Sequence, residues 1–226
     1  MRLPRHDTAL TLSAEPPREA LARDEALLVD AQPSVRWYRV TAPAVVLGLA
    51  LHHRAADVVD YDRCHERGVE VLQRAAGGGA VLLDEGMLCC TVCIPLSDPR
   101  VSADLTESYR WLGDYFAARV GGRRVEVAEA RASLAAARGS LLGDTCYGVL
   151  SPHEVLNADG AKVVGLAQVR RRHAALFQVG ILLHDQSPLA DLLRVPSEAA
   201  REALRAELQR RSARVSVGLI QPEQLL

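Results

Sequence analysis

Two segments of the chain repeat apolar residues at the three- and four-residue spacing of an amphipathic helix. Between Arg18 and Ala31 the apolar side chains share one helical face, which only Asp24 interrupts. Between Asp104 and Val120 the apolar spacing is equally regular, and Gly121 follows at the position where a helix would end. The pattern therefore predicts a helix over each segment.

Other segments are rich in β-branched and aromatic residues and are bounded by turn residues, which is typical of strands. The predicted strands are Ser34–Gly48 (one strand or two), Val69–Leu72, Ala80–Leu83, Met87–Leu96, His153–Leu156, Lys162–Gln168 and Ala174–Leu183. Asp84–Gly86 and Asn157–Gly160 are turn sequences, so we expect a hairpin at each.

The remaining segments complete the predicted architecture. We predict a short helix over Asp57–Arg67, a short strand plus helix within Val125–Leu142, a helix over Pro196–Arg211 and a final turn near Gln221–Leu226. Together the elements predict an α+β fold, with a mixed, largely antiparallel sheet flanked by helices. No linker or repeat interrupts the chain, so we expect a single domain over residues 1–226.

Charge and composition exclude several classes of protein. The chain has 226 residues, with 27 Lys plus Arg against 28 Asp plus Glu and a formal net charge of -1, so it has no bulk attraction to nucleic acid. The longest apolar stretch, Ala44–Leu51, is far shorter than the roughly 18 residues of a membrane span, and Met1–Pro17 contains no apolar run typical of a signal peptide. Five cysteines, an odd number, suit a reducing compartment. We therefore expect a soluble cytoplasmic protein without nucleic-acid or membrane partners.

Three of the cysteines lie together in one predicted strand. Cys90 and Cys93 have the spacing of a zinc-binding pair, but alternation along a strand sends their side chains to opposite faces. No second pair of ligands follows at the spacing of a zinc site. We therefore interpret Cys89, Cys90 and Cys93 as core residues and predict no metal site.

Gly77, Gly78 and Gly79 form a loop between two predicted strands. Without side chains, this backbone could approach a ligand and point its N–H groups at an oxyanion or a phosphate, and Arg74 could add a positive charge. The sequence is neither a Walker motif nor a dinucleotide-binding fingerprint. A flexible turn without a ligand is the alternative interpretation.

Cys146 and Lys162 are the candidate reactive residues. The chain has 26 arginines and one lysine, and arginine cannot replace lysine where a compact ammonium group is required. Cys146 lies in a loop-like segment, Gly143–Gly148, just before the hairpin that carries Lys162. An ammonium near this thiol would favour the thiolate and lower the thiol pKa from its ordinary value of roughly 8.5. An inert loop cysteine and a lysine placed by chance remain the alternatives.

Two motifs resemble those of the lipoate-protein ligase and octanoyltransferase superfamily, which is related in fold to the biotin protein ligases. RAAGGGAVLLD at 74–84 is similar to the superfamily signature R-R-x-S/T-G-G-G-x-V-x-H-D, and GAKVVGLAQ at 160–168 is similar to its G-x-K-x-x-G-x-A/S-Q element. Lys162 falls on the essential lysine of the superfamily. Three positions depart from the signature, because Gln73, Ala76 and Leu83 stand where it has Arg, Ser or Thr, and His.

The resemblance implies a biotin/lipoate-ligase-like catalytic domain with a tunnel for an eight-carbon acyl chain. Its implied activity is transfer of an octanoyl or lipoyl group to a lysine of a lipoyl domain, with octanoyl-acyl carrier protein or an octanoylated H protein as donor and no cofactor. Cys146 and the segment Ser151–Glu154 resemble the nucleophile segment of the cysteine-dependent transferases, although His153 stands where tyrosine is common. The implied catalytic residues are Cys146 and Lys162, and the implied substrate-binding residues are Arg74, Gly77, Gly78, Gly79, Ala80, Asp84, Gly165, Ala167 and Gln168.

Two alternatives stay open. An ATP-dependent lipoate-protein ligase would bind an adenylate phosphate at the glycine loop and Lys162, would need ATP and Mg²⁺, and usually carries a C-terminal accessory domain that we do not expect here. A non-catalytic relative that binds an acyl group or a carrier would account for Gln73, Ala76 and Leu83. We also expect Lys162→Arg to leave thermal stability near normal, because lysine head groups are seldom core elements.

Overall fold

The structure is a computed structural model that describes residues 12–215. Its strands are β1 (Leu12–Glu15), β2 (Ser34–Val40), β3 (Ala44–Leu47), β4 (Glu70–Gln73), β5 (Val81–Leu83), β6 (Met87–Pro95), β7 (Arg123–Arg124), β8 (Val155–Leu156), β9 (Lys162–Arg170) and β10 (Ala174–Leu182). Its helices are α1 (Pro17–Asp30), α2 (Ala55–Val58), α3 (Tyr61–Glu66), α4 (Arg110–Val120), α5 (Val127–Ala137) and α6 (Glu198–Arg211). The predicted final turn, Gln221–Leu226, lies outside the described residues.

The described strands form two sheets. The larger sheet has seven strands in the order β1-β2-β6-β10-β9-β8-β7, and every neighbouring pair is antiparallel except β1 with β2. The smaller sheet has three strands in the order β4-β3-β5, with β3 parallel to β4 and antiparallel to β5. The predicted α+β class with a mixed, largely antiparallel sheet is confirmed.

The hairpin predicted at Asp84–Gly86 is wrong. β5 and β6 belong to different sheets, with Val45 of β3 paired to Leu82 of β5 and Val92 of β6 paired to Phe177 of β10. The turn carries the chain from one sheet to the other. Both strands are buried on both faces, so alternation of apolar and polar residues could not show which strand each one pairs with. The hairpin of β8 and β9, by contrast, forms around Asn157–Gly160 as predicted.

The helix ends follow the residues that predicted them. Gly121 caps α4 in the left-handed conformation, and the Ser197 hydroxyl accepts a hydrogen bond from the Ala200 N–H at the start of α6. The helix predicted from Asp104 begins later, with a 3₁₀ turn at Glu107–Tyr109, because the Asp104 carboxylate accepts the N–H groups of the following turn.

The larger sheet is covered on both faces, as the alternation along β2 illustrates. Trp37 packs with Leu112 and Phe116 of α4 on one face, whereas Tyr38 packs with residues of α1 and the smaller sheet on the other. Cys90 lies on the first face and Cys93 on the second, and Cys89, Cys90 and Cys93 are all buried. Their prediction as core residues is confirmed. Among the described residues no helix is long and apolar enough to cross a membrane.

Candidate active site

The loop that carries Cys146 is fastened to the end of the glycine loop. The Ala80 N–H donates to the Asp144 carbonyl at 2.7 Å, and the Cys146 N–H donates to the Ala80 carbonyl at 2.8 Å. A Cβ atom on Gly79 would lie 2.5 Å from the Asp144 carbonyl oxygen, so only glycine permits this approach. The two segments that the sequence singled out separately therefore form one structural unit.

Arg74 is a cation beside the thiol of Cys146. Its guanidinium donates to the Gly77 carbonyl at 2.9 Å, and its Nη2 lies 3.9 Å from Cys146 Sγ. Within residues 12–215 the backbone N–H groups of Gly77, Gly78 and Gly79 donate to no other protein group. Three free N–H donors and a guanidinium thus lie in the loop next to a half-buried thiol.

Lys162, the first residue of β9, takes a different position from the expected one beside the thiol. Its ammonium contacts three oxygens, the Glu154 carboxylate at 2.6 Å, the Cys146 carbonyl at 2.7 Å and the Val149 carbonyl at 3.3 Å. An ammonium group has three hydrogens, so these acceptors account for all of them. The Lys162 ammonium therefore contacts the main chain of the loop that carries Cys146 and the ring of Tyr147, whose centroid lies 4.7 Å from Nζ.

The side chain of Lys162 is fully buried, and so is its partner. One Glu154 oxygen accepts the Ser151 N–H at 2.7 Å and the other accepts the Leu166 N–H at 3.3 Å. Burial raises the pKa of Glu154, and the Lys162 ammonium opposes this by Coulombic attraction. No role for Glu154 followed from the sequence. The sequence did contain a signal for the pair: Glu154 directly precedes β8, and the predicted hairpin places β8 beside the strand that begins with Lys162.

Cys146 stands between two cavities. The inner chamber lies between the two sheets and α1 and is lined by Leu21, Tyr38, Val46, Arg74, Val81, Leu83, Met87, Cys89, Cys90, Thr91, Cys146, Tyr147, Gly165, Leu166, Ala167, Gln178, Val179 and Gly180. The outer cavity, of about 240 Å³, is lined by Gly77, Gly78, Gly79, Thr106, Tyr109, Cys146, Val149, Ser151, Pro152, Glu154, Leu166 and Ala167. Cys146, Leu166 and Ala167 line both.

Two of the predicted β9 residues, Gly165 and Ala167, line the chamber. The Tyr147 ring lies over Gly165, where a Cβ atom would be 2.9 Å from its hydroxyl, and that hydroxyl donates to the Gly180 carbonyl at 2.7 Å. Gln168, by contrast, faces the other side of the sheet, and its amide donates to the Ser108 hydroxyl at 3.3 Å. The structure does not bring Gln168 to Cys146.

Asp84, a further predicted site residue, also lies outside the linings of both cavities. Its carboxylate accepts the Gly86 N–H at 2.8 Å and lies 3.5 Å from His184 Nε2, at the turn between the sheets. Leu83 stands where the superfamily signature has histidine, and His184 brings an imidazole next to this aspartate from a distant part of the chain. Sequence spacing could not predict that pairing.

The other two departures from the signature have separate surroundings. Ala76 is buried in a small apolar cluster with Leu28 and Leu176, and Gln73 is exposed at the end of β4. Neither lines the inner chamber, whereas Leu83 does and adds apolar surface to it. The substitution at Leu83 therefore changes the chamber itself.

This chain is similar to known proteins over most of its length. The family model described as the lipoyl protein ligase A/B catalytic domain matches residues 16–219, most of the chain. The chain belongs to this family. Octanoyltransferase LipM of Carboxydothermus hydrogenoformans is 32% identical over 205 residues, which cover 87% of this chain and 72% of the relative. Lipoate-protein ligase A subunit 1 of Thermoplasma acidophilum is 29% identical over 204 residues, covering 88% of this chain and 71% of the relative.

Solved structures show the same fold. A bi-partite lipoate protein ligase from an archaeal lipoylation system of Thermoplasma acidophilum superposes with a TM-score of 0.71 and 24% identity, covering 95% of this chain and 78% of that one. A lipoate-protein ligase A bound with ATP gives a TM-score of 0.67 and 24% identity, covering 96% and 79%. The predicted superfamily and the predicted enzyme class are confirmed.

Proposed function

We propose that this chain is an acyltransferase of protein lipoylation that carries an octanoyl group on Cys146 and passes it to a lysine of a lipoyl domain. The observation that supports this proposal most directly is the position of the thiol, which lies beside Arg74 and borders both an inner chamber and an open cavity. A nucleophile so placed can hold an acyl chain on one side and receive an amine from the other.

In the first step the Cys146 thiolate attacks the carbonyl carbon of a thioester donor. A new Sγ–C bond forms, the donor C–S bond breaks, and the carrier thiol leaves with a proton. The Arg74 guanidinium and the free N–H groups of the glycine loop stabilise the negative oxygen of the intermediate, each donor contributing roughly 3 to 4 kcal/mol. The alkyl chain occupies the chamber beneath Tyr147.

In the second step the neutral amine of the acceptor lysine enters through the outer cavity and attacks the Cys146 thioester. A C–N bond forms, the C–Sγ bond breaks, and the proton lost by the amine restores the thiol. Amide formation from a thioester is downhill and the covalent intermediate divides the exchange into two easier steps, so we propose that neither ATP nor a metal ion takes part.

The proposed acceptor is a lipoyl domain, and the proposed donor is octanoyl-acyl carrier protein or an octanoylated H protein. With an acyl-lysine donor the first step breaks a C–N bond instead, and the lysine amine leaves. Relatives bearing the names octanoyltransferase and lipoate-protein ligase support the acceptor more strongly than either donor. Leu83, which lines the chamber, stands where the superfamily signature has histidine. The choice of donor is therefore tested separately.

Intact mass spectrometry tests the proposal. The protein is incubated with each octanoylated donor, and then with a lipoyl domain, with and without ATP. We expect an octanoyl adduct on Cys146 that moves to the lipoyl domain without ATP. Modification of the lipoyl domain only from free octanoate or lipoate plus ATP would replace the proposal with a ligase, and absence of transfer from every donor would favour a non-catalytic binding protein.

A further inference from the structure

Glu154 is a buried carboxylate without an assigned role. It is 1% exposed, yet it borders the outer cavity, and its two oxygens accept from the Ser151 N–H, the Leu166 N–H and the Lys162 ammonium. With three donors engaged it is poorly placed to take a proton from an incoming amine. Its contacts lead instead towards the loop that carries the nucleophile.

The charge of Glu154 is balanced by Lys162, which is itself 0% exposed. Removing one member of a buried ion pair leaves the other charge uncompensated in the interior. Without the carboxylate, the ammonium keeps only the two carbonyls as oxygen acceptors, and these do not balance its charge. The hydrogen bonds from Lys162 to the Cys146 and Val149 carbonyls therefore depend on Glu154.

The backbone before Glu154 supports this arrangement. His153 has φ +69°, in the left-handed region that favours glycine and that histidine adopts more often than most other residues, and its ring contacts the Arg124 guanidinium. The next residue, Glu154, has its carboxylate on Lys162. A residue held in this sparsely populated region indicates that the surrounding contacts fix the direction of the chain into Glu154.

We propose that Glu154 is a positioning residue: it holds the Lys162 ammonium on the carbonyls of the Cys146 loop and thereby fixes the thiol between the inner chamber and the outer cavity. The inference deepens the proposed function and rests on it. The Glu154 carboxylate holds the Lys162 ammonium, the ammonium holds the Cys146 carbonyl, and the main chain of Cys146 in turn sets the position of Sγ. A displacement of the nucleophile by about 1 Å is enough to cost roughly 100-fold in rate.

The test compares Glu154→Gln with wild type, with the exposed Glu66→Gln as matched control. Single-turnover octanoylation of Cys146 is measured over a range of donor concentrations. We expect Glu154→Gln to lower the maximal rate by roughly 10- to 100-fold with little change in the donor KM. A loss expressed mainly in the donor KM, or no loss at all, would overturn the proposal.

A second readout separates this inference from the function itself. This readout is the rate at which iodoacetamide alkylates Cys146, which requires no acyl donor. The other four cysteines are buried, and the Cys146→Ser protein measures any alkylation at them. We expect altered alkylation in Glu154→Gln even if wild type accepts no octanoyl donor, whereas an unchanged rate would overturn the inference alone.

If the single variant does not fold, the double variant Glu154→Gln/Lys162→Met replaces it. This pair removes both charges, and we expect it to fold but to lose transfer, so that normal transfer by it would also overturn the inference.

Discussion

The ammonium of Lys162 lies 2.7 Å from the carbonyl oxygen of Cys146. The lone lysine of the chain is thus bound to the main chain of the reactive residue, while the guanidinium of Arg74 approaches its Sγ. The position beside the thiol that we expected for Lys162 is taken by Arg74. Lys162 fixes the loop, whereas Arg74 offers positive charge to the sulfur and to the developing oxyanion.

Cys146→Ser should abolish octanoyl transfer while leaving the fold unchanged. The side chain is half-buried, serine is nearly isosteric, and a hydroxyl without a strong base is a poor nucleophile. The measurement is transfer from each donor to a lipoyl domain, accompanied by thermal unfolding. Cys64→Ala, at a buried cysteine outside both cavity linings, is the control. Normal transfer by Cys146→Ser would exclude the covalent mechanism.

Arg74→Gln should lower the rate of Cys146 octanoylation by roughly 100-fold, the scale of losing one oxyanion donor. Glutamine can keep a hydrogen bond to the Gly77 carbonyl but carries no charge, so the loss reports mainly on the cation near Sγ. Arg39→Gln, an exposed arginine on β2, is the matched control. If both variants transfer at the wild-type rate, Arg74 has no part in the chemistry.

Gly79→Ala and Gly77→Ala form a matched pair in the glycine loop. A Cβ on Gly79 would meet the Asp144 carbonyl at 2.5 Å and the Cys146 nitrogen at 2.8 Å, whereas a Cβ on Gly77 meets nothing within 4 Å. We expect Gly79→Ala to push the two loops apart and reduce transfer by roughly 100-fold. Gly77→Ala keeps its N–H and should remain close to wild type. Single-turnover rates that are equal for the two variants would contradict the role of close backbone approach.

The sequence predicted the individual helices and strands of this fold better than it predicted which strands pair with each other. The turn residues Asn157–Gly160 between two strand-like segments were enough to predict the β8–β9 hairpin, because turn chemistry is a local signal. The assignment of β5 and β6 to different sheets was not predictable, because their apolar residues fit either partner. The same limit applies to the site. A motif indicated Lys162 and a loop-like segment indicated Cys146, but the ion pair of Lys162 with Glu154 depends on which side chains the folded sheet brings together.

His153 should make the protein less stable in mild acid. Burial and the nearby Arg124 guanidinium lower its pKa from the ordinary value of 6.5, with Arg110 acting in the same direction and the carboxylates of Glu107 and Asp114 opposing. A histidine whose folded pKa is lowered stabilises the protein above its unfolded pKa and loses this contribution as pH falls through its folded pKa. The loss amounts to roughly 1.4 kcal/mol for each unit by which the pKa is lowered.

His153→Asn tests this, because asparagine tolerates the left-handed backbone but does not titrate. Thermal unfolding is compared between pH 7.5 and 5.0 for wild type, for His153→Asn and for the exposed His53→Asn. We expect the melting temperature of wild type and His53→Asn to fall more steeply with acid than that of His153→Asn. Parallel curves for all three proteins would show that His153 does not govern acid stability.

Lys162→Arg should reduce both transfer and stability. We expected normal stability from the sequence because lysine head groups seldom lie in a core, and that premise is wrong here: Lys162 is 0% exposed and pairs with a carboxylate that is 1% exposed. A guanidinium keeps the charge, but it is a broad planar fork and cannot place its donors on one carboxylate and two converging carbonyls within the same space. Forcing it into a packed interior costs about 1 to 3 kcal/mol.

We therefore expect Lys162→Arg to lower the single-turnover rate by roughly 100-fold or more, through displacement of the Cys146 loop, and to lower the melting temperature as well. Lys162→Met is the informative companion, because it fits the space but leaves Glu154 without its counter-ion and should also destabilise the fold. Its stability deficit relative to wild type should shrink as pH falls, since protonation neutralises Glu154, whereas the deficit of Lys162→Arg should not. A Lys162→Arg protein with wild-type rate and melting temperature would mean that the ammonium neither fills the interior nor holds the loop, and the structural account of the lone lysine would fail.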